Sequence, residues 1–164
     1  MTKALFNQRK WKKNQKEMEE LSPLDIAIRD SIEKVNAGDD DNPAYCGWAL
    51  CMRTRQDIVF KHVQGAYPAL IQFIEDVEYP PVNGLIPREI DFYLLHPKAK
   101  GADAVETRIL HDRLSRCVND FQKELRNYYR CEFVGQRTRS IEQISQVMEA
   151  GILFKLRIYI DQTC

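Results

Sequence analysis

The stretch Tyr67–Tyr79, YPALIQFIEDVEY, decides how the rest of the chain is read. Ala69, Ile71, Phe73 and Val77 fall on one face at period two, which predicts a strand with one buried side, because successive side chains of a strand point to opposite faces. Pro68 marks the entry to this strand. Glu75, Asp76 and Glu78 lie where it is expected to leave the core. Asp76 and Glu78 share a face and are a candidate acid–base pair, set against the plainer reading that carboxylates at a strand end are solvated.

On the C-terminal side, PPVNGLIP (Pro80–Pro87) separates this run from REIDFYLLHP, where Ile90, Phe92 and Leu94 repeat the alternation. Two such runs predict a long hairpin. Its connection exceeds a tight turn, so its tip, with Asn83 and Gly84, projects beyond the sheet. AVETRILHDRLSRCVNDFQKELRNYY predicts an amphipathic helix over 104–129, with Asp103 as N-cap and Val105, Ile109, Leu114, Val118, Phe121, Leu125 and Tyr128 along one face. A short apolar segment, CEFVG, and a polar linker, QRTRSIEQISQVMEA, lead to a last, edge-like strand. There Ile152, Phe154, Leu156, Ile158 and Ile160 alternate with Lys155, Arg157 and Tyr159.

On the N-terminal side, SPLDIAIRDSIEKV predicts a helix with Ser22 as N-cap, Pro23 at the first helical position and Leu24, Ile28, Ile32 and Val35 as its apolar stripe. NAGDDDNP stops it in a loop whose three aspartates, Asp39, Asp40 and Asp41, face water. AYCGWALCMRTRQDIVFKHVQGAYP fits neither period. It is read as irregular or extended chain around Tyr45–Arg53, with a short strand near Asp57–Val63. The first 21 residues form an arm or exposed helix in which a lysine-rich block precedes an acidic one, and residues 22–164 form a single domain. The expected fold class is α+β: a mainly antiparallel sheet of about four strands with a long hairpin, packed against one long amphipathic helix plus an N-terminal helix.

Composition narrows the function classes. Lysines and arginines number 24, as do acids, so no net charge draws the chain to nucleic acid or membrane. The apolar runs are far shorter than the roughly 20 residues of a membrane helix, and the N-terminus lacks the apolar core of a secretory signal. The expected place of work is the compartment of synthesis. Five cysteines, an odd number without a CxxC pair, argue against a disulfide framework and a four-ligand zinc site, and predict reduced, mostly buried thiols.

No strong catalytic motif is present. His62, His96 and His111 lack metal-ligand spacing, and the glycines form no phosphate-binding loop, so no metal and no cofactor is expected. A Cys–His nucleophile pair from Cys117 with His111 or His96 competes with a buried thiol, which Cys117's place on the apolar side of its helix favours. QRKWKKNQK, with Lys12 and Lys13 around Trp11, offers a stacking surface and phosphate contacts. The competing reading is a solvated helix face whose field the following acidic block cancels.

YPALIQFIEDVEY, REIDFYLLHP, ILHDRLSRCVNDFQKEL and TRSIEQISQVMEAGILFKLRIYI, taken in order over Ile26–Ile160, resemble the tail-terminator (tail-completion) family of tailed bacteriophages. The basic N-terminal extension and the segment Tyr45–Arg55 depart from that pattern and leave a neck, head-completion (head–tail connector) or sheath-end role open. The resemblance implies a non-enzymatic, ring-forming virion subunit, commonly a hexamer, assembled in the host cytoplasm. It would cap the tail tube at its head-proximal end. Its partners would be copies of itself, the tail-tube protein, connector or neck proteins and the sheath protein, with no membrane and with DNA contact open but not required. Arg137 and Arg139 of one subunit against Asp39, Asp40 and Asp41 of the next is the expected charge pairing. Asn83, Gly84, Lys12 and Lys13 are further interface candidates. A module binding nucleic acid through the N-terminal lysines is the alternative of another class.

Overall fold

The computed structural model describes residues 21–52, 67–98, 103–142 and 148–162, with backbone alone at 98, 139–142 and 148–149. The element order is α1 (Pro23–Glu33), β1 (Gly47–Cys51), β2 (Ala69–Glu78), β3 (Leu85–Lys98), α2 (Ala104–Leu125), β4 (Arg130–Glu142) and β5 (Met148–Asp161). The five strands form one sheet in the order β1-β2-β3-β5-β4. β1 runs parallel to β2, and every other neighbouring pair is antiparallel. The α+β class therefore holds, with a mixed five-stranded sheet in place of about four mainly antiparallel strands.

Both helices start where side-chain oxygens satisfy orphan amides. Ser22 Oγ accepts from the Asp25 N–H at 3.2 Å, and Asp103 Oδ1 accepts from the Glu106 N–H at 2.8 Å. α1 buries Leu24, Ile28 and Ile32, with Val35 just beyond its end, as its stripe requires. α2 buries Leu114, Val118, Phe121 and Leu125, whereas Val105 and Ile109 are 67% and 64% exposed. At 100° per residue those two lie roughly 140–180° around the helix from Leu114, so they belong to its solvent side. α2 also stops at Leu125, capped by Arg126, which leaves Tyr128 half-exposed past its end.

The helices cover the even-numbered positions of the central strands: Leu70, Ile90, Phe92, Leu94, Ile152, Phe154, Leu156 and Ile158 join their apolar stripes in one core. The odd positions Ile71, Phe73, Tyr93 and Leu95, with Cys51, form a second buried cluster on the opposite face. β2 is thus buried on both faces at its start, and its period-two pattern names only one of them. Between Gln72 and Asp76 the register shifts, with residues 73–75 set against the single Asp91. Beyond that bulge Val77 is 50% exposed, so its expected place in the buried face is not kept.

The hairpin connection, residues 79–84, is longer than a tight turn, as expected, and its tip is a two-residue turn in which Asn83 and Gly84 have φ of 53° and 77° and Val82 and Leu85 exchange both backbone hydrogen bonds. Two residues of positive φ match the twist of the flanking chain, and Asn-Gly is the pair that most readily adopts them. QRTRSIE is no linker but most of β4, a 13-residue strand. β5 is consequently an interior strand, and β4 takes the edge. The irregular or extended chain expected around Tyr45–Arg53 is extended in part, as β1, while the strand expected near Asp57–Val63 lies outside the described residues.

Candidate functional site

The sheet face away from the helices carries a ladder of charged and aromatic side chains, at odd-numbered positions of β3 and β5 and at Arg130 and Glu132 of β4. Cross-strand pairing sets Glu89 beside Arg157 and Asp91 beside Lys155, and Arg130 beside Tyr159 and Glu132 beside Arg157. Glu89 is its centre and is only 7% exposed. Arg157 donates to Glu89 Oε1 from Nη2 at 2.7 Å and from Nε at 3.2 Å, and the Tyr79 hydroxyl donates to Oε2 at 3.1 Å. Lys155 Nζ stands 3.9 Å from Glu89 and 3.7 Å from Asp91. Glu132 accepts from Tyr159 at 3.0 Å and from Arg130 at 3.2 Å. Arg130 lies 4.7 Å over the Tyr159 ring and Arg157 5.7 Å over that of Tyr79.

The Arg157 hydrogen bonds hold the Glu89 carboxyl below its ordinary pKa, against the effect of burial, and Tyr79 and Lys155 act in the same direction. A depressed carboxylate contributes stability that is full above its unfolded pKa and is lost as pH falls through the lower folded one. Glu89→Gln is expected to cost about 1–2 kcal/mol near neutrality. The gap from wild type should close as pH drops below the ordinary glutamate value, near 4.3. Urea unfolding midpoints for the two proteins across this range measure it, and a gap that does not change with pH would remove the ionic role.

Beside the ladder runs a groove of about 340 Å³ whose lining includes Phe73, Asp91, Arg137, Leu153 and Lys155. Glu89 and Glu132 are engaged by arginine and tyrosine, which suits holding a surface in shape better than moving protons. Among the described residues no group of three or more His, Cys, Asp or Glu side chains is placed to hold a metal. Of the opening carboxylates, Glu75 and Glu78 are exposed. Asp76 is paired with Arg88.

The interface candidates separate onto different parts of the molecule. Arg137 is exposed on β4, paired opposite Leu153 on the ladder face. The Arg139 backbone pairs opposite Gly151, and its side chain is outside the described residues. Asp39, Asp40 and Asp41 are exposed in the α1–β1 loop, on the helix side of the sheet. That loop is shaped by Asn36, whose Oδ1 accepts from the Gly38 and Ala44 N–H groups at 2.9 and 2.8 Å. Asp39 accepts from the Asn42 N–H. The arginine and the aspartates thus do not meet within one chain. Asn83 and Gly84 form the hairpin tip, while Lys12, Lys13 and His62 lie outside the described residues.

A second constellation joins the same loop to α2. A cleft of about 430 Å³ is lined by Gly38, Asp39, Asn42, Arg113, Arg116 and Cys117, among others. Cys46 and Cys117 are both buried beside it, and the influence of each thiol on the other pushes Cys46 up and Cys117 down from the ordinary thiol value, while burial and Asp120 oppose the lowering of Cys117. Nearby Arg113 and Arg116 also lower Cys117. Cys117 is thus the buried core thiol that its place on the apolar side of the helix predicts. His96 instead stacks obliquely near Tyr67, with ring centres 6.1 Å apart, and burial lowers its pKa. The two cysteines are 71 residues apart. The only local signal was that Cys117 sits on the buried stripe of its helix.

Comparison with protein-family models and with curated proteins finds no match for this chain. No helix among the described residues is long and apolar enough to cross a membrane.

Proposed function

We propose that the chain is a structural subunit that closes with copies of itself into a ring. Following the family resemblance, the ring would end the tail tube of a tailed bacteriophage and join it to the head or neck. The observation that supports self-association most directly is β4. Its outer edge pairs with no strand among the described residues, and from Phe133 to Thr138 every residue except Gly135 is exposed, on both faces. Such an edge presents a row of unpaired backbone groups, with Phe133 and Val134 as apolar contacts, and a neighbouring chain would cover both. The register shift between Phe133 and Gly135 and the charge of Arg137 hinder indiscriminate pairing, so a partner has to match both.

A ring closes through two different surfaces of one chain. The hairpin, with Ile74, Val77 and Val82 each at least half-exposed, and the acidic α1–β1 loop both lie apart from β4 and supply candidates for the second surface. Light scattering on the purified full chain, alone and with the tail-tube protein, is expected to show one closed oligomer. Arg137→Glu combined with Arg139→Glu should weaken association at least about tenfold, and lysines at Asp39, Asp40 and Asp41 should restore it. A protein that stays monomeric under both conditions rejects the reading.

A further inference from the structure

We propose that the cleft between the α1–β1 loop and α2 binds a small phosphate monoester whose remainder carries hydroxyl groups. The inference is independent of the assembly reading above. Arg113, Arg116 and Asp120 line the cleft from α2, Asp39 and Asn42 line it from the loop, and its volume of about 430 Å³ lies within the range of small-molecule sites. Steps of three and four residues put the two arginines and Asp120 on one face of the helix. Arg113 is half-buried and Arg116 is exposed. Neither guanidinium forms an ion pair among the described residues, although two carboxylates line the same cleft. The Arg113 Nε is also buried with no hydrogen-bond partner among the described residues. A partly buried cation left without counterion or acceptor costs free energy, and an oxyanion in the cleft would remove that cost.

The lining selects the ligand class. Two guanidiniums about one helical turn apart present planar forks of N–H donors, which match the oxygens of a phosphate, and their two charges balance those of a monoester near neutrality. The acids shape the rest of the molecule. Asp39 and Asp120 offset the arginine field beyond the cleft, so a bare polyanion gains little from long-range attraction. Their carboxylate oxygens accept from hydroxyl groups, which a phosphorylated polyol or sugar supplies. Asp39 Oδ1 accepts from the Asn42 N–H at 2.6 Å, which fixes the direction of that carboxylate. The loop wall holds its shape without a ligand. Asn36 Nδ2 donates to the Asp39 carbonyl at 3.3 Å, and a side chain at Gly38 would collide with the Asn42 carbonyl oxygen. A ligand therefore meets a preformed wall and orders little of it on binding.

Isothermal titration of the folded full chain with ribose 5-phosphate, inorganic phosphate and ribose tests the proposal. The expected result is saturable binding of ribose 5-phosphate at a single site per chain, weaker binding of inorganic phosphate and none of ribose. Arg116→Gln, which removes a charge, and Arg113→Lys, which keeps the charge but loses the fork, should each weaken ribose 5-phosphate binding by about tenfold or more. Arg108→Gln removes the same charge from an exposed position of α2 outside the cleft and should leave binding unchanged. Because Arg116 is exposed, its variant keeps the fold and decides the matter even if Arg113→Lys folds poorly. Absence of saturable ribose 5-phosphate binding, equally tight binding of inorganic phosphate, or an equal loss in Arg108→Gln and Arg116→Gln would overturn the assignment.

Discussion

Phe92→Ala is expected to lower stability by about 4 kcal/mol, the largest loss from any single substitution considered for this chain. The ring is fully buried at the centre of β3 and stacks on Phe154 of β5 with centres 5.1 Å apart. It also meets Phe121 of α2 edge-on at 5.7 Å, and Phe121 in turn meets Phe154 at 6.1 Å. One side chain thus joins the two central strands to the long helix. Its removal loses apolar burial and two aromatic pairs, and it opens a cavity between the sheet and α2 that the close-packed side chains around it fill only in part. For a domain of this size the melting temperature should fall by roughly 8–16 °C. Phe92→Leu, which keeps most of the volume, should recover more than half of the loss. Equal destabilisation by both substitutions would show that the aromatic geometry, and not the filled volume, carries the energy.

Gly151→Ala should cost about 2–3 kcal/mol, although the same change in a strand interior ordinarily has little effect or stabilises. Gly151 lies in β5 opposite Leu95 of β3 and Arg139 of β4. A Cβ there would stand 2.2 Å from Tyr93 Cε2 and 2.7 Å from the Leu94 carbonyl oxygen. The Tyr93 ring occupies the space a side chain would need, and it is itself only 2% exposed, so it has little room to retreat. Glycine is required here by close approach and not by an unusual backbone angle. Removing the ring with Tyr93→Ala in the Gly151→Ala background should relieve part of the clash. That relief should make the double variant less destabilised than the sum of the single ones, while the carbonyl contact, which does not involve Tyr93, should leave part of the Gly151→Ala cost in place. Chemical denaturation of the four proteins closes the cycle, and full independence of the two sites would exclude the contact as the cause.

How much was legible differs by element. α1, the core half of α2 and the buried face of β5 follow from local periodicity, because a repeat of apolar residues states directly which side must leave water. Ser22 and Asp103 mark helix starts for an equally local reason, since their oxygens reach amides three residues away. β4 was illegible. Residues 133–138 are exposed on both faces except at Gly135, so no apolar period distinguishes them from a linker, and their strand conformation comes from hydrogen bonds to β5. β1 is short and partly buried on both sides, and its pairing is with residues more than twenty positions away. The candidate site shares this fate. Arg137 and the aspartates could be named as exposed charges, but the burial of Glu89 among Arg157, Tyr79 and Lys155 depends on strand order.

The amino-acid sequence by itself determined the α+β class, the two helices with their caps, the β2–β3 hairpin and the buried side of the last strand, because each is encoded within a few residues of where it acts. Tertiary structure alone decided the strand order, the placing of β5 inside and β4 at the edge, the second buried face of β2 and the Glu89 ladder. Those contacts join residues far apart in the chain. The physical forces that select them, backbone pairing across strands and the exclusion of water from a shared core, leave no signature in either partner's immediate neighbours.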